Sequence, residues 1–205
     1  MNRNEERRYT PDVEVRTLDD APPRIVGHAA VWDSLSEDLG SFREIVRRGT
    51  FTRALKENAD IRALFNHSPD LILGRSSAGT LKLEEDEIGL RFEILPPDTT
   101  LGRDLLESIR RGDVSQVSFG FQVQEDRFSK LTDGTVLREL LDVDLFDVSP
   151  VVYPAYPQTT AEVRSRIDEL TSNDSEEPES NEPEEPSEKP DPLRIKRMKL
   201  DLLEK

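Results

Sequence analysis

Between Thr171 and Pro192 the chain has no aromatic or aliphatic residue. Nine carboxylates stand there against one cation, Lys189, and they carry more than half of the net charge of −15. Such a stretch cannot bury enough apolar surface to offset the entropy lost on ordering, so it is expected to be disordered. Its five prolines keep it extended. A fold must therefore come from the sequence before it. The composition shifts divide the chain into an N-terminal arm and first strand over 1–22, a folded domain over 23–165, an acidic proline-rich linker over 166–192 and a terminal segment over 193–205. In that last segment Leu193, Ile195, Met198, Leu200, Leu202 and Leu203 interleave with Arg194, Lys196, Arg197 and Lys199. It reads as a short amphipathic docking helix, which needs a partner to bury its face; the alternative is a frayed tail.

Several function classes drop out at once. A chain this acidic lacks the basic face that phosphate binding needs, so nucleic acid is not expected as a partner. No window approaches the roughly 18 apolar residues of a membrane span, and Met1-Asn-Arg-Asn-Glu-Glu-Arg-Arg has no apolar signal-peptide region. The chain has no cysteine, which excludes disulfides, thiolate zinc sites and a cysteine nucleophile, and suits a reducing cytoplasm. Its two histidines, His28 and His67, must carry any histidine chemistry performed within one chain.

The hydrophobic pattern predicts many strands and two clear helices. Val13–Arg16, Arg24–Trp32 and Phe42–Arg47 read as strands, as do Ile61–Phe65, Gly79–Glu85, Ile88–Leu95, Val117–Val123 and Val136–Val148. Thr50 is expected to cap a helix through Asn58. Thr99 or Thr100 should cap a second that ends at Gly112, with Leu101, Leu105, Leu106 and Ile109 on one face. Asp133-Gly134 marks a turn. Without regular βαβ alternation, this is an α+β domain or a mostly antiparallel β-barrel-like core with attached helices.

The residue census narrows the chemistry. There is no H-E-x-x-H, Walker A, G-x-G-x-x-G or G-x-S-x-G sequence. A hydroxyl nucleophile with a histidine base remains. His67, in Ala63-Leu-Phe-Asn-His-Ser-Pro-Asp, ends an apolar strand where the chain is expected to turn at Pro69, a position suited to a general base. The bland reading is a surface histidine. His28 falls mid-strand, where packing is the default. Ser118 lies in Val114-Ser-Gln-Val-Ser-Phe-Gly-Phe, where Phe119 and Phe121 share one strand face and Ser118 and Gly120 the other. Glycine at 120 would let a substrate backbone approach. Ser115 is the nearby rival, and an ordinary strand serine the bland alternative.

At these residues the chain resembles the prohead maturation proteases of tailed bacteriophages (caudoviruses). The resemblance runs in order over roughly residues 23–163. Arg24-Ile-Val-Gly-His-Ala-Ala-Val-Trp resembles the family's opening strand. Ser36-Glu-Asp-Leu-Gly-Ser-Phe-Arg-Glu-Ile-Val-Arg-Arg-Gly-Thr-Phe resembles its G-x-F-x-E…G-A-F segment, with Thr50 in place of alanine. Asn66-His67 with Leu73-Gly74-Arg75 resembles the histidine block. Gly79-Thr-Leu and Gly89-Leu-Arg-Phe fit the middle hairpin, and Gly112-Asp-Val through Ser118-Phe-Gly-Phe the serine block. Asp147-Val-Ser-Pro-Val-Val-Tyr-Pro-Ala-Tyr-Pro resembles the E-V-S-x-V…P-A block, with aspartate in place of glutamate.

The resemblance implies a fold similar to herpesvirus assemblin, a β-barrel surrounded by helices. It implies a serine endopeptidase that digests internal scaffold, or the scaffold arm of the major capsid protein, inside the procapsid in the host cytoplasm, and then cuts itself. By matching position, Ser118 is the nucleophile and His67 its base. Asp147 matches the acidic position; Asp144 is its rival, favoured by an assemblin-like register, and Glu139 and Asp142 share the strand. In a regular strand 144 and 147 face opposite sides, so one at most meets the site unless a bulge intervenes. Backbone N–H groups near Phe119 and Gly120, or Arg75, are the candidate oxyanion donors. No cofactor or metal is implied, and oligomeric state is left open. The alternatives are a non-enzymatic capsid-assembly or scaffolding module on the same fold, working through its acidic tail, and a generic hydrolase.

Overall fold

The computed structural model describes residues 5–11, 13–17, 21–57, 60–153 and 161–172. The chain divides into one unit over Met1–Thr171 and another over Ser172–Lys205. The predicted acidic linker beyond Ser172 and the amphipathic segment 193–205 lie outside the described residues.

Two long strands organise the unit. β9 (Gln116–Lys130) and β10 (Val136–Val151) form an antiparallel ribbon, closed by the expected turn, with Gly134 at φ 85°. The Thr135 N–H donates to Asp133 Oδ1 at 2.9 Å. β1 (Glu6–Thr10) runs antiparallel along the other edge of β9. β4 (Phe42–Val46) and β5 (Arg62–Phe65) both lie parallel to β10, on successive stretches of it, and β6 (Ser68–Arg75) returns antiparallel to β5. The spatial order is β1-β9-β10-β5-β6, with β4 also on β10. A second sheet has the order β2-β3-β8-β7, from Val13–Arg16, Arg24–Val31, Gly89–Ile94 and Leu81–Glu85.

The main core joins both sheets to two helices. It holds Ile25, Phe92, Phe119 and Phe121 from the strands, Phe51 and Ala54 from α1 (Thr52–Lys56) and its entry, and Leu105 and Ile109 from α2 (Thr100–Arg111). Phe51 meets the Phe119 ring edge-on at 5.6 Å between centroids, and Phe119 stacks on Phe121 at 5.0 Å. Burying one such side chain contributes about 1.5–3 kcal/mol. α2 follows its sequence signals. The Thr99 hydroxyl accepts the Gly102 N–H at 3.3 Å, and Gly112 ends the helix at φ 80°.

Several expectations need correction. The chain is α+β and mostly strand, but the described strands form two sheets and no closed barrel. The β4 and β5 pairings are parallel, because the crossover through α1 brings the chain back in the same direction onto the same edge of β10. Thr50 is not a cap. It is fully buried and its hydroxyl donates to the Leu140 carbonyl at 2.8 Å. Glu85 serves α1 instead, its carboxylate accepting the Phe51 N–H at 3.0 Å and the Thr52 hydroxyl. The chain does not turn at Pro69, which lies within β6. A third helix, α3 (Ala161–Ser172), occupies the start of the segment expected to be linker. Val163, Ile167 and Leu170 recur at helical spacing and pack with Phe42, Val136 and Phe128.

β1 escaped detection because its sequence, Glu-Arg-Arg-Tyr-Thr, has no apolar alternation. Glu6 and Arg8 are buried and paired instead. Arg8 bonds Glu44 at 2.7 and 2.9 Å and Glu6 at 2.8 Å. Arg138 bonds Glu6 at 2.7 and 3.0 Å and Asp126 at 2.7 Å, and α3 adds Arg166 to Asp126 at 2.8 Å. These charges fix β1 to the ribbon.

Candidate active site

Alternation along β9 sends Phe119 and Phe121 into the core and leaves Ser118 and Gly120 on the opposite face. β10 brings its own residues to that face by register: Asp147 lies opposite Gly120 and Ser149 opposite Ser118. Leu145 pairs with Phe121 and Asp147 with Gly120, so Phe146 is an extra residue that shifts the strand's phase. With that bulge, Asp144, opposite Gln122, lies on the same face as Asp147.

His67 arrives on a hairpin turn. Phe65 pairs with Ser68, and the two turn residues, Asn66 and His67, are both left-handed, at φ 52° and 55°. Two-residue hairpin loops of this hand match the strand twist, and asparagine tolerates the conformation well; histidine does so less readily. β10 holds the turn in place. The Asn66 N–H donates to the Pro150 carbonyl at 3.0 Å, and Asn66 Oδ1 accepts the Val152 N–H at 3.0 Å.

These elements bring Ser118, His67 and Asp147 together. His67 Nδ1 lies 2.6 Å from Asp147 Oδ1, and Nε2 lies 2.7 Å from Ser118 Oγ. A carboxylate only accepts, so Nδ1 carries the proton and Nε2 is left to accept from the serine hydroxyl. Ser149 Oγ donates to the same Asp147 Oδ1. The other carboxylate oxygen faces Gly120, where a Cβ would stand 2.5 Å from Asp147 Oδ2. Glycine at 120 thus makes room for the carboxylate rather than for a substrate backbone. Ser118 is closed to solvent, while a cavity of about 410 Å³ reaches His67, walled by Arg7, Asn66, Val151, Val152 and Tyr153.

The rival residues are occupied elsewhere. Asp144 bonds Arg53 at 2.6 Å and Gln124 at 2.7 Å. Asp142 bonds Arg53 at 2.7 Å, and Glu139 bonds Arg47 at 2.6 Å and Arg127 at 2.7 Å. Ser115 is exposed and precedes β9. His28 Nε2 lies 2.9 Å from Asp86 Oδ2, away from these groups in a hydrogen bond that ties β3 to the β7–β8 turn. Arg75 is held by Asp60, with Nε at 2.7 Å from Oδ1. That contact holds the Asp60 carboxyl well below the usual carboxylate range. Phe119 and Gly120 are paired on both edges of β9, so their N–H groups point along the sheet into neighbouring strands.

Sequence reasoning passed over Ser149 and Arg7, and gave Asn66 no part beyond its place in the histidine block. Ser149 sits two positions beyond Asp147, on the same strand face; that spacing was its one sequence signal.

Among known proteins, no curated sequence matches this chain. Among solved structures, the bacteriophage T4 capsid assembly protease, gp21, is similar at a TM-score of 0.45 and 12% identity, over 73% of this chain and 99% of that one. A family match runs from residue 11 to residue 173, through both sheets and α3, and by it the chain belongs to the caudovirus prohead serine proteases.

Proposed function

We propose that the chain is a prohead maturation endopeptidase working through Ser118, His67 and Asp147. The observation that carries this reading is the pair of hydrogen bonds through His67, at 2.6 and 2.7 Å, linking residues 80 and 51 positions away in the chain. A module that kept only the fold would have no reason to keep that relay.

As Ser118 Oγ attacks a peptide carbonyl carbon, His67 Nε2 takes the hydroxyl proton, and the Asp147 carboxylate stabilises the imidazolium that forms. His67 returns the proton to the amine as the C–N bond breaks, leaving an acyl-enzyme on Ser118. Water then attacks the ester, giving a proton to His67, and Ser118 leaves as the restored hydroxyl. Because Ser118 is closed to solvent, a peptide entering the cavity beside His67 must displace local side chains to reach Oγ.

The substrates on this reading are internal scaffold or the scaffold arm of the major capsid protein, together with the protease itself. Cleavage takes place within the procapsid in the host cytoplasm. The test is to incubate the purified chain with its phage's capsid protein and follow both polypeptides by mass spectrometry. Both should shorten over hours, and Ser118→Ala and His67→Ala should each leave both intact while melting as the parent does. Processing by a folded Ser118→Ala variant would overturn the assignment of Ser118, and a parent chain that leaves both polypeptides intact would favour the non-enzymatic assembly module.

A further inference from the structure

We propose that Ser149 and Gly120 are positioning residues that together fix the Asp147 carboxylate against His67. The inference rests on the reading of Ser118, His67 and Asp147 as the catalytic set. A carboxylate on a strand turns about two side-chain bonds, and a useful orienting acid must present one oxygen to Nδ1 at the right angle. Here each oxygen is restrained from a different direction. Oδ1 accepts from His67 and also from Ser149, whose side chain is fully buried and whose hydroxyl is directed to this atom. Oδ2 lies over the open side of Gly120, at a place where any Cβ would come to 2.5 Å. Gly120 has no left-handed backbone angle to explain it, so space is the reason for glycine there. Gly120 stands directly opposite Asp147 on β9, in the register that the bulge at Phe146 sets, and Ser149 follows two residues beyond Asp147 on the same face of β10.

The two residues act through Asp147, so their effects should vanish when Asp147 is gone. Ser149→Ala should lower kcat by about ten- to hundredfold, the range for losing a hydrogen bond to a charged group, with KM little changed. In an Asp147→Ala background the same substitution should cost less than about twofold, as coupled residues do in a double-mutant cycle. Gly120→Ala should lower both activity and melting temperature in the parent, and lower neither further in the Asp147→Ala background, where the clashing carboxylate is absent.

Acylation by an activated ester, which remains measurable in weakened enzymes, supplies the rates, and thermal melts of the same four pairs supply the second readout. Equal losses from Ser149→Ala in both backgrounds would overturn the positioning role. So would an equal drop in melting temperature from Gly120→Ala in both. These outcomes are separate from failure of the triad itself, which would show as full activity in Ser118→Ala or His67→Ala.

Discussion

Asp144 and Asp147 lie three positions apart on β10, and the extra residue between Leu145 and Asp147 decides how they face the sheet. In an unbulged strand they would point to opposite sides. Both instead lie on the Ser118 face, and their partners separate them. Asp144 is held by Arg53 and Gln124, and Asp147 by His67 and Ser149. Asp147→Asn should therefore reduce turnover by about 10⁴, the loss seen when a triad acid elsewhere becomes an amide. Asp144→Asn should cost less than about tenfold. Steady-state cleavage of a fluorogenic peptide ranks the two. Asp86 makes a different prediction. Burial alone would raise its carboxyl, but the His28 ring and the N–H groups of Gly89 and Ile88 outweigh burial and hold it at about 2. A depressed carboxyl contributes stability that is present above its unfolded value, near 3.9, and is lost as pH falls through about 2. Asp86→Asn should therefore lower the melting temperature at pH 6 and flatten its decline between pH 4 and 2, as followed by circular dichroism.

The β5–β6 hairpin presents the histidine, and its turn depends on Asn66 twice: for left-handed tolerance and for the contact to the Val152 N–H. Asn66→Gly keeps the first and removes the second. It should leave stability within about 1 kcal/mol yet cut kcat several-fold, because His67 loses one of its anchors to β10. Unchanged kcat in a normally folded variant would contradict that account. β3 and α2 were legible from sequence because local signals sufficed: alternation in Arg24–Val31, and Thr99 and Gly112 bracketing an apolar stripe. β1 was not, because its buried face is Glu6 and Arg8, which become acceptable only beside Arg138 and Glu44. Resemblance singled out Ser118, His67 and Asp147. Ser149 and Gly120 were not given their parts: Ser149 had only its spacing of two from Asp147, and Gly120 meets Asp147 only through a cross-strand register that a bulge resets.

β10 is the strand on which the folded unit depends, pairing with β9, β4 and β5 and supplying Arg138 to the buried ion network. Removing that arginine would leave Glu6, Glu44 and Asp126 facing one another with only Arg8 and Arg166 between them. Arg138→Ala should destabilise the fold by about 3–5 kcal/mol, the cost of stranding buried charge, whereas Arg138→Met with Glu6→Gln should recover part of it. Urea denaturation measures both. α3 carries the fold to Ser172, so truncation after 173 spares it. Removing residues 174–205 should leave peptide cleavage intact and reduce incorporation into procapsids, if the acidic segment and its amphipathic end serve to recruit the enzyme; equal incorporation would remove that role.

The pairing of β10 with β9, β4 and β5, all earlier in the chain, also determines when the site comes into being. A chain is made from its first residue onward, at roughly 5–20 residues per second. His67 and Ser118 leave the ribosome well before Asp147, and the turn that carries His67 has no partner until Pro150 and Val152 follow. Half-made copies on a polysome would therefore hold Ser118 and His67 without the strand that aligns them. Ribosome-bound chains arrested with only residues up to 140 exposed should take up no serine-directed phosphonate, and chains exposed through 172 should. On the proposed reading, a partial chain that stops short of β10 cannot cut its neighbours.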